Sequence, residues 1–219
     1  MRPGRALCLF AKAPIPGKVK TRLAPAVSPR DAAHLYEAML LDILDQHARR
    51  PGADRVLWYS PLEAREWFAG AAPAVYRLMP QRGSDLGERM GGLFRTHAGE
   101  GYSRVVLRGT DSPTLPPAHV DEAFGALERN DLVLGPDPGG GYNLIGLREP
   151  CDELFEFEMS TPRVLETTLE RADAAGLSWT LLPEHRDVDM PEDLDIVRRE
   201  LSDDRTPRTS RWFRHNRFV

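Results

Sequence analysis

Apolar positions along this chain come in short continuous runs that alternate with longer stretches of helical spacing. Ala6–Ala11 (ALCLFA) predicts a buried strand, and a basic Pro/Gly loop, Lys12–Pro25, follows it. Ser28-Pro29-Arg30-Asp31 has the make-up of a helix start, with a cap, a proline in the first turn and an early acid. Ala32, Leu35, Met39, Ile43 and Leu44 then keep helical spacing to about Arg50. Further strands are predicted at Arg55–Ser60, Ala74–Met79, Arg104–Arg108, Leu132–Leu134, Tyr142–Leu147 and Trp179–Leu182. Helices are predicted at Pro61–Ala69, after a Ser84 cap (apolar face Leu86, Met90, Leu93, Phe94 and His97), at Pro116–Arg129, at Ser160–Ala175 and at Pro191–Leu201. This alternation implies crossover units, hence an α/β fold with a mostly parallel sheet whose ligands bind at the carboxyl ends of the strands.

The length of 219 residues fits one medium domain with a full core. No repeat or linker interrupts the pattern, so residues 1–201 are expected to form one domain. Residues 202–219 are expected to be a disordered basic tail. Their arginines (205, 208, 211, 214 and 217) recur at every third position with Trp212, Phe213 and Phe218 interleaved, a period that gives no helical face. The net charge of −4 gives no general reason to expect nucleic acid as a partner. Cys8 and Cys151 form neither a disulfide framework nor a zinc cluster, so a cytoplasmic setting is expected. No apolar run approaches the about 18 residues of a membrane span.

The loop after the first strand gathers Lys12, Lys18, Lys20 and Arg22 around Gly17. Such a loop suits a phosphate: glycine lets backbone approach, lysines are point charges, and arginine takes two oxygens at once. It is not a Walker loop, because the glycine spacing differs. A solvated charged loop is the alternative reading. Asp111 follows the hydrophobic strand Arg104–Arg108 in a turn stiffened by Pro113 and Pro116. Its carboxylate suits Mg²⁺ on diphosphate oxygens, or else it bonds its own backbone as an Asx turn. Gly135–Gly146 (GPDPGGGYNLIG) is either a ligand-approaching turn or a mobile hairpin. Asp187 and Asp189 precede the helix at Pro191 and could cap it. Gln81 could read a base edge with two hydrogen bonds, and Arg89 could reach phosphate; Asp85 and Glu88 could equally be first-turn acids of the helix.

In sequence order these segments (FAKAPIPGKVKTRL, QRGSDLGERM, GTDSPTLP, GPDPGGGYNLIG and DVDMPEDL) resemble a bacterial family of uncharacterised glycosyltransferases, or selenodomain-associated transferases. That family has the GT-A-like nucleotide-diphospho-sugar transferase fold. The opening loop is more distantly similar to that of sugar nucleotidyltransferases and CMP-Kdo synthetases. The resemblance implies a three-layer sandwich around a mostly parallel mixed sheet. It implies that Asp111 and Asp189 hold Mg²⁺ or Mn²⁺, and that Lys20 and Arg22 act with Asp111 in catalysis. Ala11, Lys12, Ala13, Gly17, Lys18, Gln81, Gly83, Arg89, Asp137, Gly140, Gly141 and Tyr142 are implied to bind substrate. Three departures stand out: Gly139 replaces the family's Asp, for which Asp137 could substitute; Met190 replaces a Thr; and Met159 replaces a Trp.

Two reactions follow from such a site. A small acceptor attacks the α-phosphorus of a nucleoside triphosphate and pyrophosphate leaves; or a sugar moves from a nucleotide sugar. The dense cations favour the first. A third reading, an inactive nucleotide-binding module, follows from the departures at 139 and 190. A serine or cysteine hydrolase is not expected, because there is no G-x-S-x-G and neither cysteine has an evident His partner. A homodimer is compatible with the sequence.

Overall fold

The computed structural model of the chain describes residues 4–216. Its strands are β1 (Arg5–Lys12), β2 (Asp54–Ser60), β3 (Tyr76–Pro80), β4 (Arg104–Arg108), β5 (Leu132–Pro136), β6 (Tyr142–Leu147) and β7 (Trp179–Leu181). They form one sheet in the order β3-β2-β1-β4-β6-β5-β7. Only β6 runs against its neighbours, β4 and β5; every other pairing is parallel. The short turn between β5 and β6 explains the exception, because a parallel connection needs a crossover of a dozen or more residues.

Alternation along the strands feeds two cores. Leu7, Leu9 and Ala11 of β1 pack with α1 (Pro29–Ala48), α2 (Arg65–Ala71) and α4 (Ala118–Ala126). Ala6 and Cys8 point the other way, toward α3 (Leu86–Gly99) and α5 (Val164–Ala174). The result is the α/β fold with a mostly parallel sheet that the pattern predicted, in the three-layer form that the resemblance implied, and element boundaries lie close to those expected. Asp85 rather than Ser84 caps α3, accepting the Glu88 N–H at 2.9 Å.

The C-terminal segment departs from expectation. Its described part is not a disordered tail: Pro207–His215 is a helix, α7, packed on α1. With α6 (Pro191–Glu200) it closes a third core of Leu35, Met39, Val188, Leu194, Val197, Trp212 and Phe213. Arginine spacing misled here. Thr209, Trp212 and Phe213 carry the i, i+3, i+4 spacing of a buried helical face, while the arginines face outward or pair. Arg217 and Phe218 lie outside the described residues.

Asp42, buried mid-α1, anchors this helix from a distance. Its carboxylate accepts the Arg208 and Thr209 backbone N–H groups at 3.2 and 2.8 Å, and the Thr209 hydroxyl at 2.8 Å. It therefore caps α7, whose own N-cap Thr206 makes no side-chain cap bond. Asp42→Ala is expected to cost about 3 kcal/mol of unfolding free energy, from lost charge-assisted bonds at a buried site. Denaturant melts of wild type and variant check this; a loss below about 1 kcal/mol would deny the capping role.

Candidate functional site

The carboxyl ends of β1 and β4 and the amino end of β6 meet at one rim of the sheet, over a cleft of about 960 Å³. A buried chain of hydrogen bonds fixes this rim. Tyr36 of α1 accepts the Lys12 N–H at 3.0 Å and shares a 2.8 Å bond with the Thr110 hydroxyl. Thr110 in turn donates to the Phe10 carbonyl at 2.9 Å, so Tyr36 is the donor of the pair. The loop after β1 and the turn after β4 are thereby held to each other.

The loop closes with a short helical turn at Thr21–Leu23, whose Leu23 is fully buried in the third core. That anchor turns Lys20 inward while Lys12, Lys18 and Arg22 stay exposed. Lys20 makes an ion pair with Asp111, and its ammonium lies 3.7 Å from Asp189. Arg22 donates to the other oxygen of Asp189 at 2.7 Å. Residues 20, 22, 111 and 189, far apart in sequence, thus meet at one point. The Val188 N–H, bonded to the Asp111 carbonyl at 2.9 Å, brings the segment 187–189 to the Asp111 turn.

Two further carboxylates, Asp187 and Asp137, flank the pair. Asp187 accepts a 2.7 Å bond from the Ser112 hydroxyl, and loss of water together with the nearby Asp111 pushes its carboxyl up to about 7. Asp137 is also raised, chiefly by burial; it accepts the Gly139 N–H at 2.6 Å. Beneath them Arg108 is fully buried, donating to the Ser112 carbonyl at 2.5 Å and touching His47. Burial lowers Arg108 to about 10 and holds His47 well below its ordinary value, so this imidazole is neutral and accepts. Arg108 was missed in the sequence; a charge closing an otherwise apolar strand is the signal that could have found it.

Neither Asp187 nor Asp189 caps α6. Asp193 does: it takes the N–H groups of Asp189 and Met190 at 3.0 and 2.7 Å and pairs with Arg186 at 2.8 Å. This is the N3 half of a capping box; the hydroxyl bond that a threonine at 190 would add is absent, and Asp189 faces the cleft.

Among the expected substrate contacts, Ala11, Lys12, Lys18, Gln81, Arg89, Asp137, Gly141 and Tyr142 line the cleft. Ala13 does not; it is buried in the first core and bonds backbone to Ser60. Gly17, Gly83 and Gly140 shape loops instead of lining the cleft. Gly17 sits at an exposed turn with φ +74°, and Gly83 accepts the Arg89 Nε–H at 3.1 Å. Gly140 packs under the Pro162 carbonyl. Gln81 cannot read a base with both amide atoms. Its Nε2 is committed to the carbonyls of Ala11 and Trp58, at 3.2 and 2.8 Å, which leaves Oε1 as the atom for a ligand.

The donor chemistry fits a hard divalent cation. Asp111 and Asp189 offer partly exposed oxygens, and the carboxyls of Asp137 and Asp187 beside them are raised chiefly by burial. Among the described residues no three His, Cys, Asp or Glu side chains surround one point. An ion held by two carboxylates and completed by substrate phosphates and water suits Mg²⁺.

Similarity to known proteins extends over most of the chain. The profile of a family described as "uncharacterized protein conserved in bacteria" (DUF2064) matches residues 43–161. A 3-phospho-D-glycerate guanylyltransferase of Phenylobacterium zucineum is 35% identical over 82% of this chain and 84% of its own. A phosphoenolpyruvate guanylyltransferase of Conexibacter woesei is 30% identical over 82% and 81%. A candidate nucleotide-diphospho-sugar transferase of Desulfovibrio desulfuricans G20 superposes with a TM-score of 0.91 at 34% identity, covering 99% of this chain and 96% of that one. The expected nucleotide-diphospho-sugar transferase fold is thus shown, whereas the curated relatives are named guanylyltransferases and not glycosyltransferases.

Proposed function

The chain belongs to the DUF2064 family, and from that premise we propose that it is a metal-dependent guanylyltransferase acting on a small phosphorylated acid. The meeting of Lys20, Arg22, Asp111 and Asp189 under the basic loop carries this reading. That the relatives are named guanylyltransferases supports GTP as the nucleotide. Their acceptors, 3-phospho-D-glycerate and phosphoenolpyruvate, are both three-carbon acids bearing phosphate, and they name the acceptor class.

The triphosphate lies along the loop, where Lys12, Lys18 and Arg22 present exposed cations and Lys20 a buried one. Asp111 and Asp189 hold the divalent ion, which when bound neutralises charge on the phosphates. Gln81 accepts a hydrogen bond from the base, and the guanine edge has N–H donors to give. The Asp137–Tyr142 turn and the Met159–Pro162 segment wall the other side of the cleft, where the acceptor sits. An oxygen of the acceptor phosphate attacks the α-phosphorus. The new P–O bond forms as the bond to the β-phosphate oxygen breaks, and pyrophosphate leaves with the electron pair. Lys20, Arg22 and Lys18 offset the charge it gathers. No protein nucleophile is needed, because positioning and electrostatics lower the barrier.

The test is pyrophosphate release from each of the four nucleoside triphosphates with 3-phosphoglycerate, 2-phospholactate or phosphoenolpyruvate, plus Mg²⁺ or Mn²⁺. Release from GTP that depends on one of these acceptors is the expected result. Binding of GTP without release from any acceptor would leave a nucleotide-binding module. Sugar transfer from a nucleotide sugar would replace the reading by glycosyl transfer.

A further inference from the structure

Lys20 combines three features that a simple phosphate-binding lysine does not need. Its φ of +49° makes it the one non-glycine residue with positive φ among the described residues. Left-handed backbone costs such a residue about 1–2 kcal/mol, and strain of this kind persists only where surroundings impose it. Its side chain is only 4% exposed although it carries a charge. Its ammonium sits between Asp111 and Asp189, the two side chains proposed as metal ligands. The Leu23 N–H on the Lys20 carbonyl, at 3.0 Å, and the buried Leu23 side chain lock this inward turn.

An ammonium in contact with one carboxylate and 3.7 Å from the next leaves no room for a dication bridging the same oxygens. Repulsion between the cations would be severe in a partly buried site. Lys20 must therefore move before the ion takes both aspartates. Stripped of its partners, a buried ammonium is costly unless another anion receives it. Asp189 has a second partner in Arg22, at 2.7 Å, so it stays paired when Lys20 leaves. The exposed face of the cleft next to Lys20 is the side on which the polyphosphate lies.

The geometry points to Lys20 as a resident counter-ion that holds Asp111 and Asp189 in place of a divalent ion. It yields them only when nucleotide phosphates take over the ammonium. Metal and nucleotide then enter as a coupled pair, each strengthening the other, with a coupling set by Lys20. This inference rests on the proposed reading of Asp111 and Asp189 as metal ligands.

The test is a titration of Mn²⁺ against the whole protein without nucleotide, followed by the spin signal of free Mn²⁺, for wild type, Lys20→Met and Lys20→Gln. Both variants should bind Mn²⁺ alone about tenfold or more tightly than wild type, and bind a non-hydrolysable GTP analogue more weakly. Binding of Mn²⁺ alone no tighter than in wild type would overturn the inference. Should both variants be unfolded in plain buffer, folding on addition of Mn²⁺ supports it, and failure to fold with Mn²⁺ overturns it. Asp111→Asn, titrated with Mn²⁺ and the analogue together, separates the two levels. If that variant holds the metal as wild type does, the ligand assignment has failed and the counter-ion role falls with it. If it loses the metal while Lys20→Met gains nothing, only the counter-ion role has failed.

Discussion

Asp111→Asn is expected to lower acceptor-dependent pyrophosphate release from GTP by about a thousandfold or more, which corresponds to roughly 4 kcal/mol of transition-state stabilisation. The substitution keeps the size and shape of the side chain. It also keeps the backbone bond from Val188 to the residue 111 carbonyl, so the segment 187–189 stays in place. What it removes is one charge and one hard oxygen facing Lys20 and Asp189. In a reaction whose catalysis is positioning and charge, loss of such a ligand acts on the chemical step. GTP binding in the presence of chelator should hold or improve, because a negative charge next to the phosphates has gone. That pairing of effects distinguishes a ligand from a structural residue. If metal-free GTP binding falls as far as turnover does, or if turnover survives, Asp111 is not where the metal is held.

Much of the framework behind this prediction is legible in the sequence. ALCLFA, RVLWYS and RVVLR are largely apolar runs of strand length, and each becomes an interior strand of the sheet. A basic loop after the first of these runs and an aspartate after the last then fall on one rim, since parallel strands end together. Chemistry that depends on partners far along the chain is not legible in this way. Asp187 and Asp189 look equivalent in DVD, and only the Ser112 hydroxyl, 75 residues away, marks Asp187 as the one turned inward. The amide orientation of Gln81 is set by carbonyls of β1 and β2, so one-atom recognition replaces the bidentate reading. Asp187 and Asp189 looked like the caps of the last predicted helix, but Asp193, inside its first turn, bonds back across the helix start instead. Helix α7 was obscured for a related reason: its cap is Asp42, more than a hundred residues earlier.

Gly140→Ala is expected to cut turnover of the acceptor by about a hundredfold while leaving GTP affinity within about threefold. Gly140 has φ +83°, a region that costs alanine about 1–2 kcal/mol. A Cβ there would also run into the Pro162 carbonyl. This contact cannot be relieved by a flexible side chain, because both sides are backbone. Gly140 is tied in both directions: its N–H goes to the Asp137 carbonyl at 3.2 Å, and its carbonyl takes the Leu165 N–H at 2.9 Å. Any shift is thus passed to the Asp137 carboxylate on one side and to the Met159–Pro162 segment on the other. Those two segments line the part of the cleft proposed for the acceptor, and the basic loop and Gln81 line the part proposed for the nucleotide. Gly139 also fits this account. A Cβ at 139 would stand 2.7 Å from an Asp137 oxygen, so the Asp137 carboxylate already fills the space where the family's own aspartate would begin. Steady-state kinetics with GTP and acceptor varied in turn would check the prediction. Equal losses on the GTP and acceptor sides would show that the turn supports the whole fold and not the acceptor wall.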